Sequence, residues 1–286
     1  MRSSASTWLI GLTIASCLVA GPALATELYS LDFPGASTLY RMDQVGGAAA
    51  AVGPVGLDAM GDLTSDTRPG TETLWGVRIA SGDALDSLVT IDPATGAAIN
   101  SVPITIPAAA AAPGHMTSIA FDPKSGVLYG NTSIAFGAPV EALYTIDPTT
   151  GNATFIGRIT FDNVFALGFD QSGKLFGVSD ATDDLIGIDL VTGNGSFIVD
   201  LQVGFAFDIA SRPEDDVMFL ADSGTTFLYT LDTSNGNLTG VGPYGGTSPN
   251  LVGLAFSAIP EPGTALLVTT GLAGLAAAGR KRRAAN

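Results

Sequence analysis

The sequence predicts an all-β fold, a β-propeller of five blades, followed by a C-terminal hydrophobic helix. Three observations carry that expectation. An aspartate-ended strand motif recurs at intervals of 42 to 55 residues, a second strand–turn–strand piece precedes its later copies, and two half-motifs at the ends of the repeat region complete each other.

Taken in chain order, the first element is a leader. Arg2 and a short polar stretch precede an apolar run from Trp8 to Ala20, which ends at Gly21, Pro22 and the small-x-small triplet Ala23, Leu24, Ala25. This is the pattern of a secretory signal peptide over residues 1–25, cut after Ala25 by signal peptidase, with Ala23 and Ala25 as the cleavage determinants. The run is shorter than the ~20 apolar residues that a comfortable membrane span needs. Cys17, the lone cysteine, sits in Ile14-Ala15-Ser16-Cys17, which resembles a lipobox, although the apolar run continues past it.

Residues 26–258 hold the repeats. The five aspartate-ended units are Leu39–Asp43, Leu88–Asp92, Leu143–Asp147, Leu185–Asp189 and Leu228–Asp232. Four are followed by an Asp-x-x-Thr/Asn-Gly turn closing on Gly96, Gly151, Gly193 and Gly236, and Gly46-Gly47 takes that place in the first. Glycine supplies the positive φ that such tight connections require, so each unit reads as strand, hairpin, strand. The pieces Ile119–Gly130 and Leu167–Gly177 are likewise strand, turn, strand. Together they give four strands per repeat, the blade of a propeller. Leu251–Phe256 repeats an inner strand with nothing after it, and Leu28–Leu31 repeats a second strand with nothing before it. Pairing them closes the ring at five blades and leaves few exposed sheet edges. A six-bladed ring or an open solenoid is the alternative, because the two longer intervals leave room for a further strand. The repeats resemble those of the broad YVTN-type and quinoprotein-like propellers in pattern, without a catalytic motif.

The last element, residues 259–286, is tripartite. Pro260, Glu261 and Pro262 lead into the uncharged stretch 263–279, and Arg280, Lys281, Arg282 and Arg283 form a basic stop. Physically this is a short transmembrane helix whose cationic end stays cytoplasmic. In that order the three parts resemble the PEP-CTERM sorting signal of Gram-negative, matrix-forming bacteria. The resemblance implies recognition of Pro260, Glu261 and Pro262 by an exosortase at the inner membrane, removal of the tail, and passage to the surface.

Composition narrows the function. With the terminal signals set aside, seven basic residues face 26 acidic ones, a net charge of about −19. Such a domain repels nucleic acid and anionic membrane surfaces and stays soluble outside the cell. It contains no cysteine after cleavage, so thiolate chemistry and disulfides are excluded. The only histidine, His115, cannot build a histidine-rich metal site, nor does it have a nucleophile beside it in the serine hydrolase manner. Calcium is the ion that the aspartate-rich composition suits, yet neither Asp180, Asp183, Asp184 nor Glu214, Asp215, Asp216 follows a calcium-loop pattern, and no metal ligand or other cofactor is assigned. The repeated aspartates have a plainer use as turn openers that accept backbone hydrogen bonds.

The expected function is that of an exported surface or extracellular-matrix protein, anchored in the inner membrane before processing, whose non-catalytic propeller binds polysaccharide or matrix protein or serves structurally. The alternative is a calcium-dependent propeller hydrolase or lactonase, with Asp58, Asp62, Asp208 and Asp222 as the first candidates for the ion.

Overall fold

Each hairpin begins with the same local arrangement, which fixes where the strands turn. In the computed structural model, the amide of the turn glycine donates to the carbonyl of the motif aspartate at 2.8 Å in all five copies, Gly47 to Asp43, Gly96 to Asp92, Gly151 to Asp147, Gly193 to Asp189 and Gly236 to Asp232. The aspartate carboxylate accepts the amide two residues on, as from Val45, Ala94, Thr149, Val191 and Ser234. The motif aspartates are therefore turn openers, as expected. The structure describes residues 26–33, 35–68, 70–71, 73–81, 85–107, 114–138, 140–245 and 250–258. Ala23, Ala25, Pro260, Glu261, Pro262, the stretch 263–279 and Arg280 to Arg283 lie outside them.

The described strands form five four-stranded antiparallel sheets. One contains β1 (Thr26–Phe33), β2 (Ala36–Met42) and β3 (Ala49–Asp58), with β20 (Asn250–Ala258) as its inner strand. The next runs outward through β4 (Met60–Ser65), β5 (Leu74–Arg78), β6 (Ser87–Ile91) and β7 (Ala98–Pro103). The third has β8 (Met116–Phe121), β9 (Leu128–Thr132), β10 (Ala142–Ile146) and β11 (Ala153–Arg158). The fourth has β12 (Val164–Phe169), β13 (Leu175–Ser179), β14 (Asp184–Ile188) and β15 (Gly195–Asp200). The fifth has β16 (Ala206–Ser211), β17 (Met218–Asp222), β18 (Phe227–Leu231) and β19 (Leu238–Pro243). Inner strands contact one another in the cyclic order β20, β4, β8, β12, β16 and back to β20. The fold is a five-bladed β-propeller.

Closure follows the expected pairing of the two ends. β20 pairs with β1 so that Leu28 lies opposite Phe256 and Leu31 opposite Val252, with a bulge at Ser30–Leu31. Among the described residues the longer intervals between the early motifs hold no extra strand; they come from longer connections between β4 and β5, β5 and β6, β7 and β8, and β9 and β10. The apolar core lies between neighbouring blades. All of β8 is buried, whereas the outer strand β7 is largely exposed, because inner strands are covered on both faces by adjacent sheets.

A second glycine role binds blade to blade. Each motif turn glycine packs against the outer strand of the preceding blade: Gly96 against Gly53, Gly151 against Pro103, Gly193 against Gly157, Gly236 against Val199, and, across the ring closure, Gly47 against Gly242. A Cβ at Gly47 would stand 2.2 Å from the carbonyl oxygen of Gly242. The same glycine thus turns its own hairpin and seats it on the neighbouring sheet.

Candidate functional site

The inner strands converge on the axis, and the third residues of β4, β8, β12 and β16, Asp62, Ser118, Ala166 and Asp208, lie at one level with Gly253, the fourth residue of β20. Each strand pairing has a register shift at that level where β4, β8, β12 and β16 meet their second strands. Three of the five positions are small, so two carboxyl side chains can enter the same space. β20 lies between β4 and β16, and Gly253 there has φ +71°, with no room for a Cβ beside Leu63 and Asp62. A glycine at this point lets Asp62 and Asp208, 1% exposed each, meet across the axis.

Three of the four carboxyl oxygens are held by backbone. Asp62 accepts the amide of Leu63 at 2.8 Å and the amide of Ile119 on the next inner strand at 2.7 Å. Asp208 likewise accepts the amide of Leu254 on its next inner strand. Ser118, at the equivalent position on β8, donates forward to the carbonyl of Phe165 on β12. At three of the five inner strands this position is therefore a clasp from one blade to the next. The Ile209 amide lies beside the Asp208 carboxyl, but Oδ1 of Asp208 has no donor in full hydrogen-bond geometry. One proton on Asp208 resolves this by making a carboxyl–carboxylate hydrogen bond to Asp62. Burial raises the pKa of both groups, the charge of Asp62 raises that of Asp208 further, and the pair titrates as a unit.

Above and below this level the channel differs. At the upper mouth, where the inner strands begin, Phe33, Phe136, Phe165, Phe207, Ile79 and Val252 line a cavity of about 20 Å³, room for a single water. Phe205 and Phe207 are 4.4 Å apart, centroid to centroid, and Phe165 lies 5.7 Å from Phe136. At the lower mouth Thr64, Ser65, Ala120, Ala210 and Ser211, together with Phe121, Phe169 and Phe256, line a cavity of about 40 Å³.

The four aspartates of the calcium expectation do not assemble. Asp62 and Asp208 meet, but Asp58 pairs with Arg78 at 2.5 Å on the surface, and Asp222 accepts the amides of Phe205 and Gly224 and the hydroxyl of Thr225. Among the described residues no three acidic, histidine or cysteine side chains stand together as a metal would require. His115 is fixed by Asp86, Nδ1 to Oδ1 at 2.8 Å, and the same carboxylate holds the amides of Ala80 and Met116. That is a loop clamp at the upper face. Asp180 is raised to about 6 by burial and by Asp183 beside it.

No family model and no curated protein sequence matches the chain. Its likeness is to solved structures. A chain of the crystal structure of a nidogen/laminin complex superposes with a TM-score of 0.53 at 13% identity, over 82% of this chain and 98% of that one. A candidate 6-phosphogluconolactonase from Bacteroides uniformis ATCC 8492 gives 0.42 at 15% identity, over 75% of this chain and 66% of that one. At these identities the first match establishes the propeller fold and the second adds nothing to it.

Sequence reasoning singled out Asp62 and Asp208 but not as a pair. It missed the phenylalanine mouth, whose signal was present: Phe165 and Phe207 each occupy the second position of an inner strand.

Proposed function

We propose that this chain is an exported cell-surface or extracellular-matrix protein, routed through an exosortase by Pro260, Glu261 and Pro262, with a propeller that binds rather than catalyses. The observation that carries the binding half is the state of the axial carboxyls. Asp62 and Asp208 are turned inward to backbone amides that join blades, and the remaining suspects, Asp58 and Asp222, are engaged elsewhere. Carboxyls used to hold the ring together are poor ligands for a catalytic ion. The protein-bound neighbour named in the nidogen/laminin complex is in keeping with a propeller that meets a partner through its loops, and the strongly acidic domain suits an extracellular setting.

Two measurements test the halves separately. Protein recovered from medium and cell surface is incubated with isolated polysaccharide and protein fractions of the matrix, and saturable retention on one fraction is the expected result. Hydrolysis of lactones or aryl esters that stops on adding a chelator would replace this reading with the calcium-dependent hydrolase. The export half rests on the mass of the mature chain.

A further inference from the structure

Thr26, the first residue of β1, is held by more side chains than a strand end needs. Its backbone nitrogen donates to Oε1 of Glu214 at 2.7 Å, and its hydroxyl lies 2.8 Å from both oxygens of the same carboxylate. Its carbonyl accepts the side-chain amide of Gln44 at 2.8 Å. Gln44 is fixed in turn by Arg212 at 3.0 Å, and Arg212 by both oxygens of Asp215. Glu214, Arg212 and Asp215 all come from the turn between β16 and β17, on the neighbouring blade, and Gln44 from the turn between β2 and β3. Thr26 also stands opposite Ala258 in the strand ladder, so β1 begins where β20 ends.

This grip is unbalanced in charge. The arginine ion pairs of the described residues go to Glu27, Asp66, Asp58 and Asp215, and none goes to Glu214. Arg212 lies within the electrostatic reach of Glu214 but is committed to Asp215 and Gln44, while Asp216 turns its carboxylate to the amide of Gln171. Glu27, next in the strand, faces Arg41. The nitrogen that Glu214 holds is the one that a cut after Ala25 frees. Signal peptidase adds water across the Ala25–Thr26 bond: the hydroxyl joins the Ala25 carbonyl carbon, the hydrogen joins the Thr26 nitrogen, and the proton of the new carboxyl passes to that amine. An amide with one hydrogen and no charge becomes an ammonium with three donors and a positive charge.

We propose that Glu214 is the receptor for the α-ammonium of the mature chain, so that the cut at Ala25–Thr26 turns a neutral hydrogen bond into an ion pair that fastens β1 to the neighbouring blade. The inference rests on the export reading and adds where the leader is cut and what the new terminus meets. A cut one residue to either side moves the charge by about 3.5 Å along the chain, away from this carboxylate.

Protein purified from cell surface and medium is first sequenced from its N-terminus, with Thr26 as the expected first residue. The pKa of its α-amine is then read from the pH dependence of acetylation by acetic anhydride, followed by mass spectrometry of the N-terminal peptide. A carboxylate beside an ammonium favours the charged form, so the wild-type amine is expected to lie about half a unit above that of Glu214→Gln. Raising the salt to about 1 M should bring the wild-type value down towards that of an ordinary α-amine, which decides the matter even if the glutamine variant folds poorly. Asp216→Asn removes one nearby charge without touching Thr26 and should leave most of the shift in place. Equal values in wild type and Glu214→Gln, on a chain that begins at Thr26, would overturn the ion pair and leave export standing. So would a shift that Asp216→Asn abolishes as fully, since the charge would then act as a diffuse surface field. A first residue just before or after Thr26 would overturn the capture while leaving export intact, and a chain that keeps residues 1–25 would overturn both.

Discussion

Replacing Asp208 by asparagine separates the charge of the axial pair from its shape. In the folded chain burial and mutual repulsion hold a proton on the pair above the ordinary carboxylate range. In the unfolded chain both groups ionise near pH ~4. Between that pH and the raised folded value, the native state binds more protons than the unfolded one. Stability contributed by the pair is therefore full at acid pH and is lost as pH rises. For one proton the slope is about 1.4 kcal/mol per pH unit, or about 3 kcal/mol between pH 5 and 7. In a domain of this size that corresponds to roughly 6–12 °C in Tm. Exposed groups shifted the other way, among them Asp58, Asp147, Asp189 and Asp232, act only below the ordinary carboxylate range, outside this window, and are common to both proteins. The readout is thus the difference in Tm between Asp208→Asn and wild type, followed by circular dichroism from pH 5 to 8. The gap is expected to widen in favour of the variant as pH rises. Parallel curves would mean that the two carboxyls do not share a proton across the axis.

Other perturbations probe the ring and its blades. Gly47→Ala forces a Cβ at φ +80° to within 2.2 Å of the Gly242 carbonyl at the ring closure, whereas Gly56→Ala, at φ +81°, meets nothing within 4 Å. The second should cost about 1 kcal/mol in backbone strain and the first well over 2 kcal/mol, measured by urea unfolding. Tyr244→Phe removes the buried hydroxyl that donates to the carbonyl of Asp222 at 2.6 Å, and should lower stability by about 1 kcal/mol in the same assay.

The blades were legible because one physical need recurs in each: a turn that an aspartate opens and a positive-φ glycine closes. The closing blade was legible because Leu28–Leu31 and Leu251–Phe256 are halves of the same pattern, and their observed pairing places Leu28 opposite Phe256. The axial pair was less so. Asp62 and Asp208 lie far apart in the chain and become neighbours only when β20 sits between β4 and β16, with a glycine at the level where they meet. Lining up the five inner strands gives Asp, Ser, Ala, Asp, Gly at one level, a pattern that has meaning only once five-fold closure is known. The phenylalanine mouth draws Phe33 and Phe136 from connections and strand ends, and Phe165 and Phe207 from two blades. No local period marks such a set. The interlocking of turn glycines with the preceding blade was hidden for the same reason, since Gly151 meets Pro103 only through the stacking of separate sheets.

Delivery of a binding propeller outside the cell by its terminal signals is tested by intact mass spectrometry of the protein from surface and medium. The comparison is between normal cells and cells lacking the exosortase. Loss of residues 1–25 in both, with a further cut near Pro262 only when the exosortase is present, is the predicted result. A chain that retains residues 263–286 in both strains would contradict it and leave a propeller tethered to the inner membrane.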